Sequence, residues 1–213
     1  VGGKMDVRPI LLSFQTAIIA ILFTFVLGTG VAYIVFRLKN RKLKILLNSL
    51  FTLPLVLPPT VFGFFLLTIF GVQQPVGQFL LDFFAIQVVF SWPATVIAAV
   101  AVSFPLMYRS ALTAFEQMDS ELLAVAQTLG FSESRYFRKI ALPLSMNGLL
   151  AGGVLAFARG LGEFGATTML AGNIAGKTRT LPLAIYSAVA SGDWRLANQY
   201  VVIMLLLCLI ILF

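Results

Sequence analysis

The sequence predicts an all-α integral membrane protein with about five transmembrane helices. Hydrophobic residues make up 60% of the chain and charged residues 11%, and the mean hydropathy is +0.99. Soluble domains carry roughly 25% charged residues, and a soluble chain of 213 residues could not hide this much apolar surface from water. Long uncharged runs, such as residues 9–36, are the third observation, because each is long enough to cross a bilayer as a helix.

The predicted spans follow these uncharged runs in order. Backbone amides in lipid must be paired within their own segment, so each span is expected to be helical. Gly71, Gln73 and Pro75 interrupt the long run after the second span, which indicates an external loop over residues 71–91. Residues 180–192 are too few for a span and predict an interfacial or re-entrant helix. The chain, residues 1–213, is interpreted as one membrane domain with spans at about 13–36, 46–70, 92–111, 144–166 and 197–213.

The basic residues predict the orientation, since cytoplasmic connections carry an excess of Lys and Arg. The loop at 71–91 contains neither residue type, which agrees with an external position. The N-terminus is therefore expected outside. The net charge of +7 is explained by topology, and no nucleic-acid partner is expected. The basic residues assigned to the cytoplasmic side are Arg37, Lys39, Arg41, Lys42, Lys44, Arg109, Arg135, Arg138 and Lys139.

The residue inventory excludes most catalytic and metal chemistry. There is no histidine, and the one cysteine, Cys208, falls in the last predicted span. Cys/His metal sites, His-based triads and disulfides are thereby excluded. Residues 172–178 have three residues between two glycines where a phosphate-binding loop needs four, so they are interpreted as a turn-rich loop. No enzyme activity, metal or cofactor is expected in this chain.

The connection at residues 116–143 is predicted to begin with a helix. Asp119 or Ser120 can cap this helix, and Gly130 suits the left-handed position that ends it. Apolar residues within the helix recur at helical spacing and are expected to form one apolar face. They are Leu122, Val125, Ala126 and Leu129.

A second short helix is predicted after Gly130. Ser132 can cap it, and Pro143 falls where the next span begins. A structured loop between two spans is typical of a docking element, and an amphipathic linker lying on lipid headgroups would have the same periodicity. Periodicity alone leaves both interpretations open.

The loop resembles the EAA motif of ABC importer permeases. That motif has Glu-Ala-Ala, three residues, Gly, nine residues, Ile, one residue and Leu-Pro, and the same spacing occurs here. Ala124 replaces the family's Glu and Val125 replaces its first Ala, while Glu121, one turn earlier, is expected to supply the missing charge. The motif positions are occupied by Ala124, Val125, Ala126, Gly130, Ile140, Leu142 and Pro143.

This resemblance implies a type I importer permease core in which residues 116–143 form a coupling loop. The loop would fit a cleft on a cytoplasmic ATP-hydrolysing subunit and pass its closure to the spans as a rigid-body switch. The implied partners are a second copy of the chain, a dimer of ATP-binding subunits, an external solute-binding protein and membrane lipid. ATP and Mg²⁺ would be bound by the ATP-binding subunit, and the implied location is the inner (plasma) membrane of a prokaryote.

Further stretches resemble the oxyanion permeases of this family. The most specific is residues 157–167, FARGLGEFGAT. With residues 173–186, it is similar to molybdate or tungstate permease subunits more than to sulfate ones. Residues 53–61 and 103–106 are similar to core spans of oxyanion permeases. The resemblance implies a path for molybdate or tungstate, the alternative being sulfate or another oxyanion.

A more distant alternative is a self-sufficient secondary transporter. Such transporters show inverted repeats and several charges near the membrane midplane. The chain has no clear internal repeat, and apart from Arg109 near the end of the third predicted span, Arg159 and Glu163 are its only charges inside a predicted span.

Arg159 and Glu163 lie four residues apart and are predicted to pair on one helix face. Charged residues inside a membrane are candidates for function. Arg159 is expected either to attract a dianion, held in place by Glu163, or to form a structural pair that locks the span near the external gate. Pro54, Pro58 and Pro59 predict a kink in the second span. The candidates for the translocation path or gate are Arg159, Glu163, Phe164, Thr167 and Asn173.

Overall fold

The computed structural model describes residues 5–119 and 121–212, and within them the chain forms twelve α-helices and one π-helical turn, Phe137–Ala141. Ser120 and Phe213, a predicted cap and the predicted end of the last span, lie outside these residues. The helices are α1 (Arg8–Arg37), α2 (Arg41–Val56), α3 (Pro59–Phe70), α4 (Pro75–Phe84), α5 (Trp92–Glu116), α6 (Glu121–Thr128), α7 (Glu133–Tyr136), α8 (Leu142–Leu144), α9 (Met146–Leu161), α10 (Gly165–Ala171), α11 (Leu181–Ala190) and α12 (Trp194–Leu212).

Three helices, α1, α5 and α12, are long and apolar enough to cross a membrane by themselves. They correspond to the first, third and fifth predicted spans. Two bent pairs, α2 with α3 and Glu133–Leu144 with α9, pass the same test together. The predicted number of about five spans is reached when each bent pair forms one span.

The second span is not the single kinked helix predicted for residues 46–70. Its two helices, α2 and α3, meet at an angle of 113°. Pro58 and Pro59 explain the break, because neither has an amide hydrogen and Pro59 forces Pro58 into extended backbone, with ψ of 134°. Pro54 lies inside α2 and does not end it.

The fourth span is also not the continuous helix predicted for residues 144–166. The chain bends by 73° just before α9, and α9 ends at Leu161. A new helix, α10, then begins at Gly165, where the Glu163 carboxylate accepts a hydrogen bond from the Ala166 amide at 2.7 Å. This side-chain bond offers the backbone an alternative to continuing α9.

Two short helices lie in the remaining connections. The loop predicted at 71–91 contains α4, which the sequence analysis did not predict. Pro75 opens it at a position where a missing amide hydrogen costs nothing, and Ala85 ends it in a left-handed conformation with φ of 53°. The short helix predicted at 180–192 is confirmed as α11, Leu181–Ala190.

The centre of the bundle is the helix pair α1 and α5. The side-chain oxygens of Thr16 and Thr95 are 2.9 Å apart, and those of Thr24 and Ser103 are 3.1 Å apart. Both pairs are separated by 79 residues in sequence. Because this separation is constant, the two helices run in the same direction and keep one register. Two spans have this parallel direction when one antiparallel span connects them.

Small residues continue this register along both helices. Ala20 and Ala99, again 79 positions apart, are each 1% exposed and belong to one cluster. Gly28 lies against Met107 at the next step of the register, and a Cβ on Gly28 would be 2.9 Å from the Met107 Cβ. Small residues allow helices in lipid to approach closely, which brings the hydroxyl pairs within bonding distance.

Gly28→Val should destabilise the protein by about 1–3 kcal/mol, because the added carbons would overpack the α1–α5 contact. Gly30→Val is the matched control on the same helix, since a Cβ there would meet no heavy atom within 4 Å. Thermal unfolding of both purified variants in detergent measures the difference. Equal unfolding midpoints would contradict the close contact at Gly28.

Candidate functional site

The helix α6 ends at Thr128, and Gly130 takes the left-handed position after it, as predicted. Gly130 has φ of 74°, the left-handed region that favours glycine. Its amide donates to the Gln127 carbonyl at 3.0 Å, and the Phe131 amide donates to the Ala126 carbonyl at 2.9 Å. These two bonds form a Schellman motif. A Cβ at Gly130 would meet no heavy atom within 4 Å, so the backbone conformation alone requires glycine here.

The two predicted caps of the loop are also confirmed. The Asp119 carboxylate accepts a hydrogen bond from the Glu121 amide at 2.9 Å. The Ser132 hydroxyl accepts one from the Arg135 amide at 3.4 Å. The second helix, α7, is four residues long and passes directly into the π-helical turn Phe137–Ala141.

The apolar face predicted for α6 is covered by the bundle along one edge only. Ala126 is buried and Leu122 is partly buried against the main core cluster. Val125 and Leu129 are 53% and 70% exposed. The division arises because the bundle covers only the edge of the face formed by Leu122 and Ala126. An apolar strip therefore points away from the bundle.

The remaining motif residues also divide into two groups. Ile140 and Leu142 pack against the main core cluster. Glu121, Ala124 and Pro143 are exposed. The loop is thus anchored by its second half and presents its first helix outward. The end of the bundle that carries residues 116–143 is called the loop end below.

Arg159 and Glu163 form the predicted pair. The distance from Arg159 Nη1 to Glu163 Oε2 is 2.7 Å, and the two side chains are 30% and 2% exposed. The other carboxylate oxygen of Glu163 accepts the Ala166 amide that starts α10. Glu163 is therefore committed to structural contacts, while part of the Arg159 side chain remains accessible.

The two broken spans meet beside this pair, through contacts between α3 and α10. A Cβ on Gly165 would lie 2.9 Å from Pro59 Cβ, and a Cβ on Gly63 would lie 2.7 Å from Ala166 Cα. Both glycines are thus required by close approach of the two helices. Interrupted helices that pack together near charged residues are typical of transport sites in membranes.

The other predicted path residues lie apart from this pair or are covered. Thr167 is 2% exposed and lies within α10. Asn173 accepts a hydrogen bond from Arg179 Nε at 2.8 Å and donates one to the Ser187 hydroxyl at 2.7 Å. Phe164 follows Glu163 directly and is half-buried. The structure therefore pairs Arg159 with Glu163, packs the Phe164 ring against Tyr186, and places Asn173 in a separate polar network.

Several side-chain partners lie far apart in sequence and were not predicted. Arg179 and Ser187 complete the Asn173 network, and Arg37 pairs with Glu133 at the loop end. No local spacing signals such contacts. Among residues 5–119 and 121–212, no group of three His, Cys, Asp or Glu side chains comes together to hold a metal ion.

The architecture is that of a chain found in a solved ABC transporter. The fold matches a solved structure of the MetNI methionine ABC transporter in inward-facing conformations, with a TM-score of 0.74. That match covers 96% of this chain and 90% of the other, at 16% sequence identity. The likeness at this identity concerns the fold.

Sequence comparison identifies the family. Residues 24–213 match the family described as binding-protein-dependent transport system inner membrane component, and the chain belongs to it. YvgM of Bacillus subtilis is 45% identical over 96% of this chain and 90% of its own length. The molybdenum transport system permease proteins ModB of Haemophilus influenzae and Escherichia coli are each 44% identical. The alignments cover 87% and 85% of this chain and 80% and 79% of those proteins. Members of such a family are membrane permeases, which carry no catalytic site of their own.

Arg159→Met should destabilise the protein by about 3–5 kcal/mol, because it leaves the buried Glu163 carboxylate without its ion-pair partner. The double variant Arg159→Met/Glu163→Gln should be closer to the unaltered protein, since the amide oxygen of Gln can still accept from Ala166. Thermal unfolding in detergent compares the two variants. A double variant less stable than the single one would contradict this account of the pair.

Proposed function

We propose that this chain is the membrane-spanning permease subunit of an ATP-driven importer for molybdate, acting as a homodimer. The identity to permeases named for molybdenum transport, which extends over most of both chains, supports the substrate class. The observation that carries the coupling mechanism is the outward strip of α6. Val125 and Leu129 are exposed there, beside the left-handed turn at Gly130.

The loop is proposed to dock on a cytoplasmic ATP-binding subunit. Its second half is held in the core, so the outward strip is the part available to a partner. An exposed apolar strip on a short, rigid helix fits a protein groove, with Glu121 and Ala124 on the same exposed side. ATP and Mg²⁺ belong to that partner, whose closure would displace the loop as a rigid body.

The loop end is proposed to be cytoplasmic, with the N-terminus outside. Basic residues follow α1 and recur in the coupling loop, as the positive-inside bias requires. The parallel arrangement of α1 and α5 agrees with this topology, because both would then run from outside to inside. A binding protein that delivers the anion would dock at the opposite end.

A second copy is proposed to cover α2 and α3. None of the 16 residues of α2 is buried, and apolar side chains such as Val56, at 82% exposed, are uncovered. Lipid could cover apolar side chains but not the backbone groups left without helical partners at the Pro58 break. A protein partner at this break resolves that difficulty, and it places the translocation path between the two copies.

Arg159 is the proposed contact for the anion on this path. Its partly exposed side chain can approach a tetrahedral dianion, and Glu163 fixes its position. Phe164 adjoins the pair, and the Asn173 network with Arg179 is the second polar group along the proposed route. Thr167 is covered in this conformation and would reach the path only after a rearrangement.

Uptake into proteoliposomes containing this chain, its ATP-binding subunit and its binding protein tests the function. We expect ATP-dependent uptake of labelled molybdate that excess tungstate inhibits and excess sulfate inhibits weakly. Stronger inhibition by sulfate would favour the sulfate permease alternative. Uptake that needs neither ATP nor the ATP-binding subunit would favour a secondary transporter.

Gly130→Val should abolish ATP-dependent uptake while the protein remains folded and inserted. Valine is strained at positive φ, so the turn that orients α6 would be lost. Gly130→Asn is the matched control, because asparagine tolerates the left-handed conformation. Uptake in proteoliposomes is the measurement. Unchanged uptake in the valine variant would refute the coupling role of this turn.

A further inference from the structure

The coupling loop is tied to the end of α1 by a long-range ion pair. Arg37, the last residue of α1, pairs with Glu133, the first residue of α7. The two residues are 96 positions apart in sequence. Their side chains are 24% and 67% exposed, and such pairs add at most about 1 kcal/mol to stability. The pair is therefore better suited to positioning the loop than to stabilising the fold.

An aromatic contact lies directly beside this ion pair. Tyr33, one turn before Arg37, has its ring centroid 4.5 Å from that of Phe137 and 5.5 Å from that of Phe115. Aromatic pairs at these distances contribute beyond the area they bury. Phe137 belongs to the coupling loop and Phe115 to α5, so one residue of α1 contacts both elements.

The surroundings show that this contact is closely packed. Tyr33 Oη and Arg37 Nε are buried and have no hydrogen-bond partner within the described part of the chain. Tyr136, the last residue of α7, is 2% exposed.

We propose that Tyr33, Arg37, Glu133 and Phe137 form a clasp that transmits displacement of the coupling loop to α1. Arg37 and Glu133 are its positioning residues. This inference rests on the proposed function, in which the loop is moved by an ATP-binding subunit.

The coupling loop is attached to the bundle in two ways: rigidly to α1 through the clasp, and more flexibly to α9. On the stiff side, α1 is locked to α5 by the register of their hydroxyl pairs. On the compliant side, the loop reaches α9 through the π-helical turn Phe137–Ala141 and the 73° bend before Met146. π-helical turns occur frequently at functional sites, and they are one of the usual causes of sharp bends in helices. Displacement of the loop would therefore move α1 and α5 together and change the angle of α9.

Charge reversal tests the clasp in the reconstituted importer. Arg37→Glu and Glu133→Arg should each lower the anion taken up per ATP hydrolysed by about fivefold, the equivalent of the roughly 1 kcal/mol expected for such a pair. The double variant Arg37→Glu/Glu133→Arg should restore the ratio. Lys42→Glu is the control for Arg37→Glu, because Lys42 is exposed on α2 and the two substitutions change the charge by the same amount. A double variant that is no better than the single ones overturns the clasp.

Co-purification of the ATP-binding subunit separates this inference from the proposed function. An unaltered chain that fails to retain that subunit would contradict the proposed function itself. If the unaltered chain couples normally and the single variants keep the same anion uptake per ATP hydrolysed, only the clasp is contradicted.

Cross-linking provides a test that is independent of charge. Cys208 is the one native cysteine, so Cys208→Ser gives a cysteine-free background for Arg37→Cys and Glu133→Cys. A short thiol-specific cross-linker between the two introduced cysteines should leave uptake per ATP within about twofold, because the clasp moves as a unit. Loss of uptake on cross-linking would mean that the contact must open during transport, which overturns the proposal.

Discussion

The parallel packing of α1 against α5 is the interaction on which the rest of the structure depends. Lipid tails are as apolar as leucine, so apolar side chains alone do not hold helices together in a bilayer. This pair is held by small residues and by the hydroxyl pairs of Thr16 with Thr95 and Thr24 with Ser103. Within each pair, each hydroxyl also gives the other a hydrogen-bond partner, so neither is left unpaired between the helices. The fixed register sets the position of the end of α5, and so of the loop that follows it.

The two broken spans lie around this rigid pair, and unlike α1 and α5 their helices are interrupted. The break at Pro58 and the break before Gly165 interrupt helices that hydropathy alone would draw as continuous. The two breaks meet through glycines that admit the neighbouring backbone, and Glu163 satisfies one of the amides released by the second break. In a membrane, interrupted helices need partners from protein or from a water-filled cavity. The rigid part of the bundle is thus α1 with α5, and the interrupted helices are those of the second and fourth spans.

Hydropathy and local signals were sufficient for the unbroken spans α1, α5 and α12 and for the caps and the turn of the loop. Gly130 and Ser132 act on backbone groups within a few residues of themselves, so their roles could be predicted from spacing. The 113° angle between α2 and α3 could not be predicted in this way, because the prolines determine only where α2 ends, whereas packing determines the angle. The exposure of Leu129 and the pairing of Arg37 with Glu133 depend on which elements meet in three dimensions.

The pairing of Arg159 with Glu163 bears on how tightly such a path could hold its substrate. An unpaired arginine in a membrane would bind a dianion strongly and release it slowly, whereas transport requires binding that is weak enough to leave. Glu163 lies 2.7 Å from Arg159 and offsets its charge, so the local field on an approaching anion is small. Strong selection between similar tetrahedral dianions is then difficult at this position. Under the proposed function, the choice of substrate belongs to the binding protein outside, and the permease needs only to admit what is delivered.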